Sequence, residues 1–471
     1  MISVEILVIG SGPGGAITAW ELKKNNREVL LIEAGSNYGL NSCKPFSTLE
    51  MEQKYKYGGL TPSLNSPKIT YVEGGCVGGG SEVNSGFYHR TPEDMIKYWG
   101  EKFYIENFSV DELYKHFEII EKEISVSYLP NPNQVSKASL KLKEGADKLG
   151  WENIEVPRWF KFNQGNKGIK QSMTETYIKW YINKGGELLS NQKAINIKRA
   201  NNNWIISLTD TLNGQKSKIN ARYVFLCAGA INTPFLLRSN GIKKNIGNTL
   251  QMHPTVKVVA EFDKIINYHD MGVPVHQVKE FSPKISFGCS ISSKPYLALA
   301  MLDNRKYLNR VESNWEKMAI YYAMIKPYGH GTIRKLPFFN DPFVQYKLTN
   351  QDLINLSEGL KKMCMLLFSA GAKQIFPSIK NYGVLNNLSD IDLIPSKLSR
   401  KRTSLMTIHL FSSCPMGENK KLCSTNSFGK IFGVKNLYIN DGSLIPSAPG
   451  VNPQGTIMAI ARRNIHHFLG I

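Results

Sequence analysis

The feature that most constrains the fold is a strand, a glycine turn, a helix and a second strand within the first 33 residues. An apolar run at 5–9 precedes the turn 10–15, GSGPGG; an apolar helical pattern follows at 16–24, and a second strand at 28–33. In this pattern Gly10 permits the tight turn, Gly12 lets the backbone approach a pyrophosphate, and Gly15 lets the helix pack on the strand. The segment predicts a Rossmann-like unit that binds a dinucleotide, either NAD or FAD.

The same unit predicts which residues contact the cofactor. The N-terminus of the helix faces the phosphates, and the acidic residue that ends the second strand accepts hydrogen bonds from a ribose. The predicted contacts are Gly10, Gly12, Pro13, Gly14, Gly15, Glu33 and Ala34.

Size and composition predict a protein of two domains. A chain of 471 residues is too long for one compact core.

Its hydrophobic share of 42% and charged share of 20% are ordinary for a soluble globular protein, and no apolar run is long enough to span a bilayer. The first strand leaves no room for an export signal. The seven scattered cysteines lack close CxxC pairs, which argues against a disulfide framework and a zinc site. We therefore expect a cytoplasmic protein without a metal.

The net charge of +20 invites a nucleic-acid interpretation. The excess is mostly lysine spread along the chain, with one dense cluster at 397–402, and no nucleic-acid motif accompanies it. The charge therefore indicates solvated lysines and no nucleic-acid partner. A weak attraction to anionic membranes, as a peripheral contact, or to an acidic partner is the alternative.

A second glycine-rich segment follows, with six glycines in the thirteen positions 74–86. Fixing so many glycines costs backbone entropy, so an ordinary helix or strand is excluded. The segment is too apolar for a flexible linker, because it contains Cys76, Val77, Val83, Phe87 and Tyr88. These features predict a backbone pressed against a planar ligand.

The run at 74–90, GGCVGGGSEVNSGFYHR, resembles the first signature of the glucose-methanol-choline (GMC) oxidoreductases, which lies along the flavin and the pyrophosphate. The resemblance implies FAD contacts from Gly78, Gly79, Ser81 and Asn84. Some relatives attach the flavin through a histidine just before the matching asparagine. Val83 stands there in this chain, so the resemblance implies non-covalent FAD.

Residues 222–242 are similar to the second GMC signature, a buried strand followed by a short helix. This match implies cofactor contacts from Ala228 and Gly229. The sequence departs from the signature at Asn240 and Lys243, both at the exit of the helix.

The middle of the chain predicts helices that begin at Ser109, at Ser172 and at Thr349, from their capping signals. Strands are predicted at 187–198 and 204–208, and Ala194 is the nearest match to the family's adenine contact. Strict alternation of Ile285, Phe287, Cys289 and Ile291 predicts a strand with one buried face.

Together these patterns predict an α/β protein in which a Rossmann-like FAD-binding domain with a parallel sheet carries an inserted α+β substrate domain on an antiparallel sheet. The FAD-binding domain is assigned to 1–90, 170–250 and 405–471, and the substrate domain to 91–169 and 251–404.

The C-terminal stretches at 406–417 and 436–461 resemble the GMC C-terminus, and the GVNP sequence is shared with the branch that contains cholesterol oxidases. The match implies that His409 and Asn452 face the flavin N5 and that Asp441 contacts the ribityl chain. A helix starting at Pro453 would present its positive end to the reduced flavin, which is anionic. The remaining cofactor contacts implied here are Gly442, Pro453 and Gln454. Asn452 before Pro453 also fits a simple helix cap.

These residues suit FAD-dependent oxidation of an alcohol by hydride transfer to flavin N5. Hydride loss needs the alcohol oxygen to give up its proton, for which a neutral imidazole at His409 is suitable, and the Asn452 amide can hold the oxygen. We interpret His89 and His253 as structural, and Cys76 and Cys414 as packed thiols.

Three alternatives remain at this stage: a redox-neutral lyase that retains FAD, like the hydroxynitrile lyases; a non-catalytic flavin protein; and an NAD-dependent dehydrogenase, which leaves the C-terminal block unexplained. The sequence leaves open the alcohol, the oligomeric state and the electron acceptor, whether oxygen, a quinone or a carrier protein.

Overall fold

The computed structural model describes residues 1–59, 61–131, 134–165, 167–269 and 271–471. The strands in these ranges are β1 Ile2–Ile9, β2 Val29–Ile32, β3 Thr61–Pro62, β4 Ile69–Tyr71, β5 Val126–Ser127, β6 Asn153–Glu155, β7 Arg158–Gln164, β8 Lys167–Lys170, β9 Glu187–Leu189, β10 Gln192–Ala200, β11 Asn203–Asp210, β12 Lys216–Leu226, β13 Gln251–Met252, β14 Thr255–Phe262, β15 His276–Val278, β16 Ile285–Cys289, β17 Met318–Ile325, β18 His330–Arg334, β19 Phe343–Lys347, β20 Ala372–Pro377, β21 Leu405–Thr407, β22 Leu410–Phe411 and β23 Leu437–Ile439.

The α-helices in the same ranges are α1 Pro13–Lys24, α2 Thr48–Lys54, α3 Gly80–Val83, α4 Glu93–Phe103, α5 Val110–Glu123, α6 Lys137–Lys148, α7 Tyr177–Asn183, α8 Gly229–Ser239, α9 Lys294–Ala300, α10 Asn309–Asn314, α11 Asn350–Ser369 and α12 Gln454–Leu469.

The first sheet has the order β10-β11-β12-β1-β2-β9, and β23 pairs with the end of β12. Strands β9, β2, β1, β12 and β23 run parallel, whereas β11 is antiparallel to both of its neighbours, β10 and β12. Ile6 to Ile9 are consecutive buried residues, as expected of a parallel strand covered on both faces. The predicted Rossmann-like fold is confirmed.

The second sheet has the order β3-β4-β21-β14-β17-β16-β15-β6, and β20 also pairs with β14. Its central pairs, β14–β17 and β16–β17, are antiparallel. Along β17 the side chains alternate between two surroundings. Ala319, Tyr321 and Ala323 pack in a core with α11, while Ile320, Tyr322 and Met324 line a cavity between the two sheets. This sheet therefore forms one wall of the candidate site.

Strands of the first sheet come from both ends of the chain and from its middle, and β3, β4 and β21 pair within the second sheet although they lie in segments assigned to the FAD-binding domain. The domain boundaries remain a prediction.

Two local predictions were wrong in their bounds. The helix predicted to begin at Ser172 begins at Tyr177 instead. The intervening loop is held by the signature segment, because Met173 N–H donates to Ser81 Oγ (3.0 Å) and Thr174 Oγ1 donates to Glu82 Oε1 (3.0 Å). The single strand predicted at 187–198 is divided by a turn at Asn191, whose φ is 59°. As a result β9 pairs with β2 and β10 pairs with β11.

A third prediction was incomplete. Strand β16 is buried on both faces, since all five of its residues are buried, and Ile291 lies beyond its end. The second face is covered by neighbouring side chains such as Tyr322, whose hydroxyl lies over Gly288. The predicted caps at Ser109 and Thr349 are confirmed, with Ser109 Oγ accepting from Glu112 N and Thr349 forming a reciprocal pair with Asp352.

Candidate active site

A cavity of about 1390 Å³ lies between the two sheets. This volume exceeds the 300–1,000 Å³ that is usual for a drug-sized ligand, so it has room for a dinucleotide and a substrate together. Both glycine segments, β10, the start of α8, β14, β17 and residues 404–410 and 452–457 contribute to its wall.

The glycines of the first turn are needed for different physical reasons. A Cβ at Gly10, where φ is +103°, would overlap the carbonyl of Cys227, one at Gly15 would overlap the carbonyl of Gly10, and one at Gly14 would overlap the carbonyl of Asn440. Gly12 is the exception, because a Cβ there meets only Gly79 Cα, at 4.0 Å, and faces the cavity. Gly12 is thus the position where the backbone is open to a ligand.

The two glycine segments interlock. Gly79 has a φ of +55°, and a Cβ there would lie 2.8 Å from Gly12 Cα. Ser11 Oγ accepts from Gly78 N–H (3.0 Å) and donates to Glu33 Oε2 (2.8 Å), and Glu33 Oε1 accepts from Gly35 N–H (2.9 Å). The Glu33 carboxylate therefore lines the cavity while it fixes the turn.

Most of the predicted cofactor contacts converge on this cavity. Those that line it are Gly10, Gly12, Pro13, Gly14, Glu33, Ala34, Gly79, Asn84, Ala194, Ala228, Gly229, Asp441, Gly442, Asn452, Pro453 and Gln454. Gly15, Gly78 and Ser81 lie behind the wall. Ser81 is fully buried and donates to Gly78 O (2.8 Å), so its contacts are with the protein.

Ala194 reaches the cavity through an irregularity in its strand. The register between β10 and β11 shifts between Ala194 and Asn196, which leaves Ile195 without a partner in β11. Such a bulge redirects the backbone locally. The residues of the bulge, 193–196, line the cavity, and the resemblance places the adenine beside Ala194.

Asp441 connects the C-terminal segment to the start of α8. Its carboxylate accepts from Gly229 N–H (2.9 Å), Thr233 Oγ1 (2.6 Å) and Ser443 N–H (2.8 Å). Burial raises the pKa of Asp441, and the hydrogen bonds from Ser443, Thr233 and Gly229 oppose that increase. The carboxylate thus holds together two segments that border the cavity.

The predicted catalytic pair is brought together. His409 Nε2 lies 3.1 Å from Asn452 Nδ2, and both residues line the cavity. Helix α12 begins at Gln454 with Pro453 at its cap and no side-chain cap hydrogen bond, so Asn452 is not the helix cap that its position before proline suggested. Its side chain instead faces His409.

The structure adds His253 to this pair. His253 Nδ1 lies 3.0 Å from His409 Nδ1, the rings meet edge to face, and His253 is fully buried. On its other side, His253 Nε2 accepts from Gly450 N–H (3.1 Å). The interpretation of His253 as purely structural did not anticipate this contact with the predicted catalytic histidine.

Burial keeps both imidazoles neutral. It lowers the pKa of His409 to about 3, with a smaller contribution from the positive charge of Lys279, and it lowers the pKa of His253 well below its usual value. The Nζ atom of Lys279 is itself buried, and burial lowers the pKa of Lys279 to about 8.

The hydrogen bonds restrict which nitrogen of each neutral ring carries the proton. Because Gly450 N–H donates to His253 Nε2, the His253 proton belongs on Nδ1, which would place the His409 proton on Nε2. The amide nitrogen of Asn452 faces that same Nε2, which suits the opposite tautomer, with the His409 proton on Nδ1. In the second tautomer His253 accepts at Nδ1 and carries its own proton on Nε2, so it cannot accept from Gly450 N–H. The second tautomer therefore lacks the hydrogen bond to Gly450 that the first one has.

Further contacts fix the Asn452 side of the site. Gln277 Nε2 lies 3.4 Å from Asn452 Oδ1, and Asn84 Nδ2 donates to Gln454 Oε1 (2.6 Å). Gln277 belongs to β15 of the second sheet and carried no sequence signal. His89, interpreted as structural, has a buried ring with no hydrogen-bond partner among the described residues.

Comparison with known proteins decides the family. Two profiles, both described as GMC oxidoreductase, match residues 51–255 and 331–461, and an NAD(P)-binding Rossmann-like profile matches residues 8–59. An uncharacterized GMC-type oxidoreductase, y4nJ of Sinorhizobium fredii, is 36% identical over 98% of this chain and 94% of its own length. The chain belongs to the GMC oxidoreductase family. It is therefore an FAD-binding oxidoreductase that acts on CH–OH donors.

Other proteins are similar to the chain at lower identity. The long-chain-alcohol oxidase FAO4A of Arabidopsis thaliana is 25% identical over 98% of this chain and 68% of its own length. The crystal structure of pyridoxine 4-oxidase from Mesorbium loti has a TM-score of 0.73 at 15% identity and covers 99% of both chains. Formate oxidase from Aspergillus oryzae also has a TM-score of 0.73 at 15% identity, over 99% of this chain and 98% of its own.

The residues of this GMC protein fit FAD. The open backbone at Gly12, the N-terminus of α1 and the bulge at 193–196 suit a pyrophosphate and an adenosine, while the N-terminus of α12 lies beside the predicted catalytic pair. Among the described residues, no helix is both long and apolar enough to cross a membrane.

Proposed function

We propose that this GMC oxidoreductase oxidises an alcohol, with His409 taking the hydroxyl proton and Asn452 holding the oxygen. The observation that carries the proposal is the 3.1 Å approach of His409 Nε2 to Asn452 Nδ2 at the cavity wall, beside the N-terminus of α12. Bound FAD supplies the hydride acceptor. We propose that it is held non-covalently, since Val83 cannot form the covalent link that a histidine would.

His409 removes a proton in the tautomer that leaves Nε2 unprotonated. Its own proton then lies on Nδ1 and is donated to His253, at the cost of the Gly450–His253 hydrogen bond. Removing one partner from a buried hydrogen bond costs about 1–3 kcal/mol. His253 therefore sets the energy of the tautomer that can act as the base, and Asn452 donates to the oxygen as negative charge develops there.

The cavity wall supports an alcohol with an apolar body. Besides His409 the wall contains Leu299, Ile320, Tyr322 and Met324. The similarity to a long-chain-alcohol oxidase agrees with this substrate class. The cysteines support a reducing, cytoplasmic compartment, because all seven lie in the described ranges and are free.

The test is anaerobic mixing of the FAD-loaded protein with a panel of alcohols of increasing chain length. We expect one class to bleach the visible flavin band, and we expect His409→Ala to slow bleaching by about 100-fold or more, as is typical for loss of a general base. His330→Ala, at an exposed histidine on β18, is the matched control. A bound flavin that no alcohol bleaches would favour the lyase alternative. Bleaching that is unchanged in His409→Ala would exclude His409 as the base.

A further inference from the structure

The turn between β18 and β19 projects two phenylalanines into solvent beside the cavity. Phe338 is 103% exposed and Phe339 is 63% exposed. Their neighbours Lys335, Asn340 and Asp341 line the cavity. Large apolar side chains exposed together in this way indicate an interaction site.

Residues 61–68 adjoin this hairpin and connect it to a third segment. Leu64 is 55% exposed, and its N–H donates to Val344 O (2.9 Å) at the start of the hairpin's second strand. Ser66 Oγ donates to the carbonyl of Arg400 (2.7 Å), which connects the turn at 61–68 to the basic cluster. We call residues 61–68, 335–342 and 397–402 the mouth surface.

The mouth surface is strongly cationic. It contains Lys68, Lys335, Lys397, Arg400, Lys401 and Arg402, against the single carboxylate of Asp341. Among the described residues, none of these six cations has an ion-pair partner, and Asp341 accepts a hydrogen bond from Tyr57 (2.7 Å). The basic cluster at 397–402 is therefore connected to the hairpin of the exposed phenylalanines through residues 61–68.

We propose that the mouth surface docks on an anionic lipid bilayer, with Phe338 and Phe339 inserted at the interface and the cations on the headgroups. Apolar side chains at a protruding tip, flanked by lysine and arginine, have the arrangement of an interfacial membrane anchor. A narrow tip inserts into a fluid interface more readily than it matches a flat protein surface. Because Lys335, Asn340 and Asp341 of this surface line the cavity, docking brings the cavity mouth to the bilayer, where an apolar alcohol resides.

The experiment is sedimentation of the full FAD-loaded chain with vesicles of phosphatidylcholine alone or with added phosphatidylserine. We expect binding only to the anionic vesicles, decreasing with salt. The double variant Phe338→Ser with Phe339→Ser should bind about tenfold more weakly or worse, from lost apolar burial. Lys397→Gln with Lys401→Gln should bind roughly 25-fold more weakly, at about fivefold per charge.

Matched controls lie on the β11–β12 hairpin. Leu212→Ser removes a side chain that is 75% exposed, and Lys216→Gln with Lys218→Gln removes two exposed lysines. These controls should bind vesicles like the unaltered protein. All variants should bleach with a short water-soluble alcohol at the unaltered rate, so a failure of docking is distinguishable from a failure of the proposed reaction.

Three results would overturn the proposal. The first is no binding to anionic vesicles, and the second is equal weakening by the control variants. The third is that the protein does not bind vesicles but self-associates, or is retained on an acidic protein, in a way that requires Phe338 and Phe339. That result would assign the surface to a protein partner.

Discussion

The contact between His253 and His409 leads to a prediction that separates two hydrogen bonds of one side chain. Asparagine at position 253 places an amide near the former Nδ1, where its oxygen can accept from His409 Nδ1–H. Glutamine reaches the former Nε2, where it can accept from Gly450 N–H, and it leaves His409 Nδ1 without a partner. The two variants therefore each retain one of the two contacts.

The expected rates follow from the tautomers. In His253→Gln, the buried His409 Nδ1–H is unpaired in the tautomer that acts as base, which costs about 1–3 kcal/mol and should make bleaching roughly 5- to 150-fold slower than in His253→Asn. In His253→Asn, the amide oxygen accepts from His409 Nδ1–H, and no proton corresponding to that on His253 Nε2 faces Gly450 N–H. This variant should bleach at least as fast as the unaltered protein.

The assay is anaerobic stopped-flow bleaching with a saturating alcohol, with FAD content and the denaturation midpoint measured for each variant. Because His253 is fully buried, both variants are expected to lose stability, and the comparison of rates is made between them. A structural role alone would slow both in proportion to lost stability. Equal rates in the two variants would refute the tautomer argument.

Three further predictions concern acid stability, cofactor retention and the pH profile. Burial and the Arg462 guanidinium, which donates to Nδ1, lower the pKa of His116 to about 3. The unfolded chain therefore binds more protons than the folded chain below pH 6.5, and the free energy of unfolding decreases as pH falls. His116→Asn should remove roughly 2 kcal/mol of the loss in unfolding free energy between pH 7 and pH 5, measured by urea denaturation, and an unchanged loss would contradict the assignment. Gly79→Ala forces a Cβ to 2.8 Å from Gly12 Cα at a positive φ, so it should purify with less FAD per chain than Gly80→Ala, where no atom lies within 4 Å; equal FAD content would count against the interlock. Since the pKa of His409 is lowered to about 3, bleaching should not weaken as pH falls from 7 to 5, and a decline with an apparent pKa near 6.5 would show that His409 is protonated in that range.

The parts of the site that the sequence predicted are those in which function depends on local spacing. The turn needs Gly10, Gly14 and Gly15 because each packs against nearby backbone, and the spacing alone specifies a strand, a turn and a helix. The C-terminal pair was predicted from a resemblance, and the structure does bring His409 and Asn452 to 3.1 Å.

The partner of His409 could not be predicted in the same way. His253 and His409 are 156 positions apart, and they meet because β13 pairs with β22, Gln251 opposite Phe411 and Met252 opposite Leu410. Strands of two residues have no periodicity to read. The bounds at Ser172 and Asn191 failed for a related reason, since capping side chains and strand propensity were overridden by long-range contacts with the signature loop and with β2.

The glycine pattern of the site is better explained by packing between segments than by the ligand. A Cβ at Gly14 would overlap the carbonyl of Asn440, and a Cβ at Gly79 would overlap Gly12 Cα. The segments near residues 12, 79 and 440 therefore meet at one turn. A side chain at Gly14 or Gly79 would separate these segments before it reached a cofactor, whereas one at Gly12 would enter the cavity directly. Cofactor loss in a Gly12 variant should therefore occur without loss of folding stability, while at Gly14 and Gly79 the two losses should occur together.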